Sequence, residues 1–226
     1  MNIQCNMKIY CISDTHGKHA SLELKEADII IHAGDATCQR DPNLNAPELE
    51  AFFNWFSSLN MYKYKIYIPG NHDTSFAKNL VPVPKNITVL CHNEIEIEGC
   101  RIFGSPYTPT FGVGWAYNVD RGKIGRLWNQ IPDDIDILVT HGPAKGILDL
   151  TIDRDTNNPR QCGCGSLLHE IKVKSPKYHV FGHLHDERGI FNAGRLELPL
   201  IKTVFINVSV VDLRHELVNH GSIIKL

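Results

Sequence analysis

Aspartate, asparagine and histidine recur in this 226-residue chain in five short clusters, each directly after a hydrophobic run. Asp14-Thr15-His16 follows KIYCIS, Gly34-Asp35 follows DIIIHA, and Gly70-Asn71-His72-Asp73 follows KIYIP. His141-Gly142 then follows DILVT, and Gly182-His183-Leu184-His185 follows YHVF. Taken singly, each has an ordinary reading: a helix-capping Asp, a turn dipeptide, a satisfied histidine. Taken in order, they offer hard oxygen and borderline imidazole donors with no thiolate. Divalent Mn, Fe or Zn uses such a set at a hydrolytic centre. Residues two apart in an extended segment point to one side, so Asp14 with His16, and His183 with His185, can face one cleft. Glycines at 34, 70, 142 and 182 permit close backbone approach beside them.

The elements that must position these clusters are strands. β-rich runs occur at Lys8 to Ile12, Ile29 to His32, Lys65 to Ile68, Arg101 to Phe103, Ile135 to Thr140, Tyr178 to Phe181 and Thr203 to Val208. Several are continuously apolar, as in strands covered on both faces. In open α/β sheets the carboxyl ends of strands form the ligand crevice, so clusters far apart in sequence can converge there. Leu49, Phe52, Phe53, Phe56 and Leu59 share one helical face after Pro47, read as a first-turn proline. A second helix is predicted from near Gly165 to before Pro176, with Leu167, Leu168 and Ile171 inward. Asp41 to Pro47, Val81 to Asn86, Ser105 to Gly114 and Gly142 to Gly165 read as surface loops. The pattern is α/β with crossovers, and no repeat or linker divides it, so residues 1–226 form one expected domain.

Composition narrows the function. A formal net charge of -2 and a pI of about 6.6 give no electrostatic grip on nucleic acid or an anionic membrane. No run approaches the roughly 20 apolar residues needed to span a bilayer, and the start lacks the blocks of a signal peptide, so a cytoplasmic location is expected. Seven irregularly spaced cysteines fit reduced thiols, and Cys162-Gly-Cys164 lacks the further ligands of a zinc site.

The ordered blocks DTH, GD, GNHD, THG and GHLH resemble the signature of the calcineurin-like metallophosphoesterase superfamily. GSPYTPTFGVGWAYN (104 to 118) and THGPAKGILD (140 to 149) further resemble its metallophosphoesterase-domain branch, which includes cyclic-nucleotide phosphodiesterases. The resemblance implies a four-layer αββα sandwich of two mixed sheets flanked by helices. It also implies two divalent metal ions, one on Asp14, His16 and His185, the other on Asn71, His141 and His183, with Asp35 bridging. His72 would be the catalytic histidine beside the metals, and Asp73 would orient it. The implied activity is hydrolysis of a small phosphoester, foremost a diester such as a cyclic nucleotide, by a hydroxide bridging the metals. Some vertebrate members of the branch carry Gly where this chain has His183; here the ligand set is complete.

A phosphomonoesterase or protein phosphatase on the same centre is the rival enzyme reading, because both reactions need the same metals. A non-catalytic metal-binding scaffold is the rival from another class, and loss of ligands would be its cue. No nucleic-acid partner is expected, and a homodimer is a candidate assembly. His19, His32, His92, His169, His179, His215 and His220 read as structural or surface residues, with His32 nearest the site. Asn207 ends a strand and has two readings, a site residue or an ordinary amide. Tyr107, Phe111, Trp115 and Tyr117 are candidates to hold a planar group or to pack their own loop.

Overall fold

Alternation along the strands builds three cores. Successive strand side chains point to opposite faces, and in the computed structural model, which describes residues 7–226, the two faces meet different partners. Ile9 and Cys11 of β1 (Lys8–Ile12) enter one core while Tyr10 and Ile12 enter another. In β2 (Ile29–His32), Ile29 and Ile31 part from Ile30 in the same way. Cys5 lies outside the described residues.

The first sheet has the order β15-β1-β2-β3-β4, adding β3 (Tyr64–Tyr67), β4 (Thr88–Val89) and β15 (Ser222–Lys225). Its pairs are parallel except at β15, which runs antiparallel to β1. The second sheet comprises β5 (Asn93–Ile97), β6 (Cys100–Ser105), β9 (Ile137–Thr140), β12 (Tyr178–Phe181), β13 (Gly194–Leu198) and β14 (Ile201–Asn207). Its order is β13-β14-β12-β9-β6-β5, parallel within and antiparallel at both edges. Two short pairs lie outside the sheets: β7 (Thr108–Pro109) with β8 (Asn118–Val119), and β10 (Leu150–Ile152) with β11 (Pro159–Gln161).

The central core lies between the sheets, where Ile31 and Ile66 of one join Val139 and Val180 of the other. Outside the first sheet, α1 (Pro42–Ser58) presents Leu49, Phe52, Phe53 and Phe56 to Tyr10, Ile30 and Tyr67. Outside the second, α2 (Gly125–Trp128) and α3 (Gly165–Lys174) lay Trp128, Leu167 and Ile171 on Leu138, Phe181 and Phe205. The layers therefore run helix, sheet, sheet, helix, as the αββα expectation has it. Among the described residues no helix is long and apolar enough to cross a membrane.

Three stretches expected as surface loops are not. The stretch from Asp41 to Pro47 is helix rather than loop, because Asp41 accepts from the backbone N–H of Asn43 (2.8 Å) and Leu44 (3.3 Å) and Pro42 takes the first helical position. Pro47 thus lies inside α1, where it forfeits one hydrogen bond. A proline there costs roughly 3 kcal/mol, against roughly 1.5–3 kcal/mol gained for each apolar side chain buried beyond it. The stretches from Ser105 to Gly114 and from Gly142 to Gly165 are likewise not all surface loop, since the first carries β7, with Thr108 and Pro109 buried and paired with β8, and the second carries the β10–β11 hairpin.

Candidate metal centre

The parallel strands of both sheets end at one edge, and there the sheets are joined. Ser13 donates its N–H to the carbonyl of Val208 (2.9 Å), and Val210 donates back to Ser13 (3.1 Å). That junction brings Asp14 and His16 after β1, Asp35 after β2, Asn71 and His72 after β3, His141 after β9, and His183 and His185 after β12 into one cluster. Four of these hold the left-handed backbone region: Asp14 (φ 54°), His16 (40°), Asp35 (56°) and His183 (71°). Non-glycine residues pay for that conformation and keep it only where the surroundings enforce it. Enforcement is visible in the backbone, where Asp14 donates to Gly34 O (2.8 Å), His16 to Asp35 O (3.2 Å) and Gly182 to His141 O (2.9 Å). Gly182 must be glycine, since a Cβ would collide with the Asp14 carboxylate and with Ser13.

Three imidazoles of the cluster are aimed by Nδ1. His16 Nδ1 lies 2.8 Å from Thr37 O, His141 Nδ1 2.9 Å from Ala33 O, and His185 Nδ1 3.2 Å from Asp212 O. A backbone carbonyl can only accept, so each Nδ1 is the protonated nitrogen and Nε2 turns to the centre. There His185 Nε2 meets Asp14 Oδ1 (3.2 Å), and His141 Nε2 meets Asp35 Oδ2 (3.3 Å) and Asn71 Oδ1 (2.9 Å). His16 Nε2 stands 4.0 Å from Asp35 Oδ2, buried with no hydrogen-bond partner.

The electrostatics call for cations. Among the described residues, Asp14 and Asp35 are ion-paired only with imidazoles, and both are buried. Burial works against each charged carboxylate, yet His185 holds Asp14, and His141 holds Asp35, below the usual carboxylate range. Burial opposes a proton on His141 too, but Asp35 raises it to about 9. Burial pushes His16 and His183 down to about 3, so they remain neutral donors. Asp14, His16 and His185 each offer an atom within 4.8 Å of one another, and so do Asp35, His141 and His183. Two such groups, rich in oxygen and imidazole, fit two divalent ions. A third group within the same limit is His16, Asp35 and His72.

His72 stands beside the cluster, its N–H on Asp35 Oδ1 (2.7 Å) and its Nδ1 3.0 Å from Cys38 O. That carbonyl, not Asp73, orients the ring, which corrects the expected role of Asp73. The Asp73 carboxylate is buried behind the loops, accepting from the N–H of Asp35 (2.9 Å), Ala36 (3.0 Å) and Gly70 (2.7 Å) and from Thr37 Oγ1 (3.0 Å). It is a clasp joining the loops after β2 and β3. Burial and the neighbouring Asp35 raise its pKa to about 6.

Other supports had little sequence signal. Asn45, buried in α1, donates to Thr37 Oγ1 (2.7 Å) and His72 O (2.9 Å) and accepts from Ser75 N–H (3.1 Å), from a stretch that reads as loop. His32 accepts at Nδ1 from Gly34 N–H (3.3 Å) and meets Thr15 Oγ1 through Nε2 (3.0 Å), so it braces two ligand loops. Asn207 donates to Leu184 O (2.9 Å), holding the loop of His183 and His185 without entering the site.

A cleft of about 250 Å³ opens above the cluster. Its floor is His16, Asp35, Asn71, His183 and His185, and its rim includes Phe111, Arg154 and His215. Phe111 lies 4.9 Å from the His183 ring, Trp115 backs His72 at 4.5 Å, and the Arg40 guanidinium lies over the Trp115 ring at 4.7 Å. Tyr107 and Tyr117 pack on each other (6.0 Å) and do not line the cleft. His215, read from sequence as a surface residue, stacks on His16 with centroids 4.0 Å apart and places Nδ1 3.8 Å from Cys38 Sγ. No strand-end pattern marks it.

A donor cluster of this kind at the strand ends of a double-sheet sandwich is the working centre of a metal-dependent phosphoesterase, a phosphoric ester hydrolase. The chain belongs to the calcineurin-like phosphoesterase family, whose model matches residues 7–187 and whose members generally use a dinuclear divalent metal centre. Within it the chain is of the metallophosphoesterase-domain type. It is 32% identical to human metallophosphoesterase domain-containing protein 1, over 97% of this chain and 71% of the relative. A UPF0046 protein of Caenorhabditis elegans is 35% identical over 91% of this chain and 76% of its own length. Among solved structures, a Thermus thermophilus protein, TT1561, superposes with a TM-score of 0.58 at 16% identity, covering 94% of this chain and 97% of that one, a likeness of fold.

Proposed function

We propose that this chain is a phosphodiesterase acting on small diesters, cyclic nucleotides among them. In this reading Asp14, His16 and His185 hold one divalent ion, Asn71, His141 and His183 hold a second, and Asp35 lies between them. The observation that carries it is the set of imidazoles tied through Nδ1 to backbone carbonyls, with every Nε2 turned on two buried carboxylates. Mn, Fe and Zn all suit these donors. When bound, such ions neutralise the phosphoryl oxygens and acidify a water for attack.

The chain's own residues do the rest. Asp35 spends one oxygen on His72 N–H (2.7 Å) and keeps the other for the centre. Because His72 Nδ1 is committed to Cys38 O, Nε2 carries a proton only in the imidazolium, and that proton is the one available to a leaving oxygen. Phe111, at the rim, offers an exposed ring to a planar group of the substrate.

The test rests on leaving groups. An alkoxide leaves poorly without a proton, whereas an aryl oxide leaves unaided. Wild type should therefore hydrolyse an aryl phosphodiester faster than the matching monoester. His72→Ala should lower kcat on a cyclic nucleotide by on the order of 10²- to 10⁴-fold while costing far less on the aryl diester. Equal losses on both would assign His72 to phosphoryl charge instead. A wild-type preference for the monoester would make the chain a phosphomonoesterase, and an ion lost in His72→Ala would make His72 a ligand.

A further inference from the structure

The β10–β11 hairpin hangs over the cleft, and the residue it presents there is a cation. Arg154 is the only lysine or arginine among the lining residues, beside Leu150 and Thr151 of the same hairpin. It is exposed, and among the described residues it has no ion-pair or hydrogen-bond partner. The adjacent carboxylate does not claim it. Asp153 accepts from Thr156 N–H (3.0 Å) and pairs with Arg160 (3.0 Å) across the hairpin.

The hairpin is also held in place, which a chance surface arginine would not need. At its root, Asn192 accepts from Leu150 N–H (3.2 Å), donates to Leu150 O (2.8 Å) and donates to the carbonyl of His185 (2.9 Å), a candidate ligand. In its middle, Glu187 accepts from Ile152 N–H (3.0 Å) and from Thr151 Oγ1. Near its tip, Arg188 donates to Asn157 Oδ1 (3.1 Å). The loop that supplies His183 and His185 therefore carries the hairpin with it, and these hydrogen bonds hold the backbone that bears Arg154 in place relative to the floor.

We infer that Arg154 is a substrate-binding residue, a cation that the braced hairpin holds over the centre to grip an anionic oxygen of the phosphoester. The inference rests on the proposed reading of the cleft as the phosphoester site. A guanidinium suits the task because its planar fork matches phosphate oxygens and its charge is permanent. Standing at the rim and away from the ligand cluster, it contributes to binding in the ground state and transition state alike.

Metal-loaded full-length protein tests this with two readouts, turnover of an aryl phosphodiester and calorimetric binding of inorganic phosphate. Arg154→Gln should raise KM about tenfold and weaken phosphate binding by a similar factor, with kcat and metal content unchanged. Arg154→Lys should recover part of both, because it restores charge without the fork. Phosphate affinity and KM left unchanged in Arg154→Gln would overturn the inference, as would a loss confined to kcat. If wild type turns over no phosphoester yet binds phosphate through Arg154, the proposed activity fails and this inference stands.

Discussion

The floor and the rim of the cleft are built on different terms. On the floor and directly beneath it, Asp14, Asp35, Asn71 and His141 are at most 2% exposed, and buried neighbours fix their loops. On the rim, Phe111 is 48% exposed, and Arg154 and His215 come from a hairpin and a loop outside the main sheets. A floor of strained backbone and desolvated charge tolerates little change, because each group there satisfies several others. A rim of single side chains tolerates much. The donors for the chemistry are thus tied to the fold, whereas the rim carries residues the fold could exchange.

Breaking the floor at its centre should have the largest effect. Asp35→Asn removes negative charge facing both groups of donors, so metal analysis should find both ions weakened and turnover lost. The loss should exceed that of His16→Ala or His141→Ala, each of which removes one donor. An Asp35→Asn protein that keeps both ions and its activity would deny Asp35 its place between them.

The clasp beneath the floor comes next. Asp73→Ala leaves the N–H groups of Asp35, Ala36 and Gly70 without their acceptor, while the Thr37 hydroxyl keeps the carbonyl of His72 (3.1 Å). Buried donors left unmade cost about 1–3 kcal/mol each, so unfolding in urea should show a loss of at least about 3 kcal/mol. Had Asp73 oriented His72, the variant would lose kcat at unchanged stability, and that result would restore the sequence-based assignment.

Two buried histidines behind the floor give it an acid limit: His32, which braces two ligand loops, and His179, whose Nε2 meets Thr140 Oγ1 (2.8 Å) beside His141. Burial holds both His32 and His179 down to about 3, well below the ordinary histidine value of about 6.5. A folded value below the unfolded one means that the unfolded chain takes up protons the folded chain refuses. Stability is then full above pH 6.5 and falls as the pH drops through the window towards 3. Each such histidine should cost about 2 kcal/mol between pH 7 and pH 5. Urea melts at those two values should show the loss, and His179→Gln should shrink it by one histidine's share. An unchanged difference in that variant would mean that His179 does not titrate as its burial requires.

The smallest effect belongs to the rim. Phe111→Ala should raise KM for a cyclic nucleotide several-fold, with metal content intact and little change for a diester that lacks a planar group. A loss of metal there would erase the distinction between floor and rim.

Sequence reading went as far as local patterns reach. The floor was legible because a hydrophobic strand followed by Asp, Asn or His is a local signal, and five of them in order fix a topology. The role of Asp73 was not, because adjacency to His72 in sequence says nothing of where the next side chain points; the turn after β3 sends it backward to four donors. Asn45 was hidden by prolines at 42 and 47 that resemble a loop, although Asp41 caps a helix there. His215 and Arg154 reach the cleft through tertiary packing alone, from segments with no periodicity to read.

The two-metal reading stands or falls on metal content measured together with activity. Protein stripped by a chelator and titrated with Mn should take up two ions per chain and regain phosphodiesterase activity as the second binds. Full activity in the stripped protein, or saturation at one ion, would contradict it.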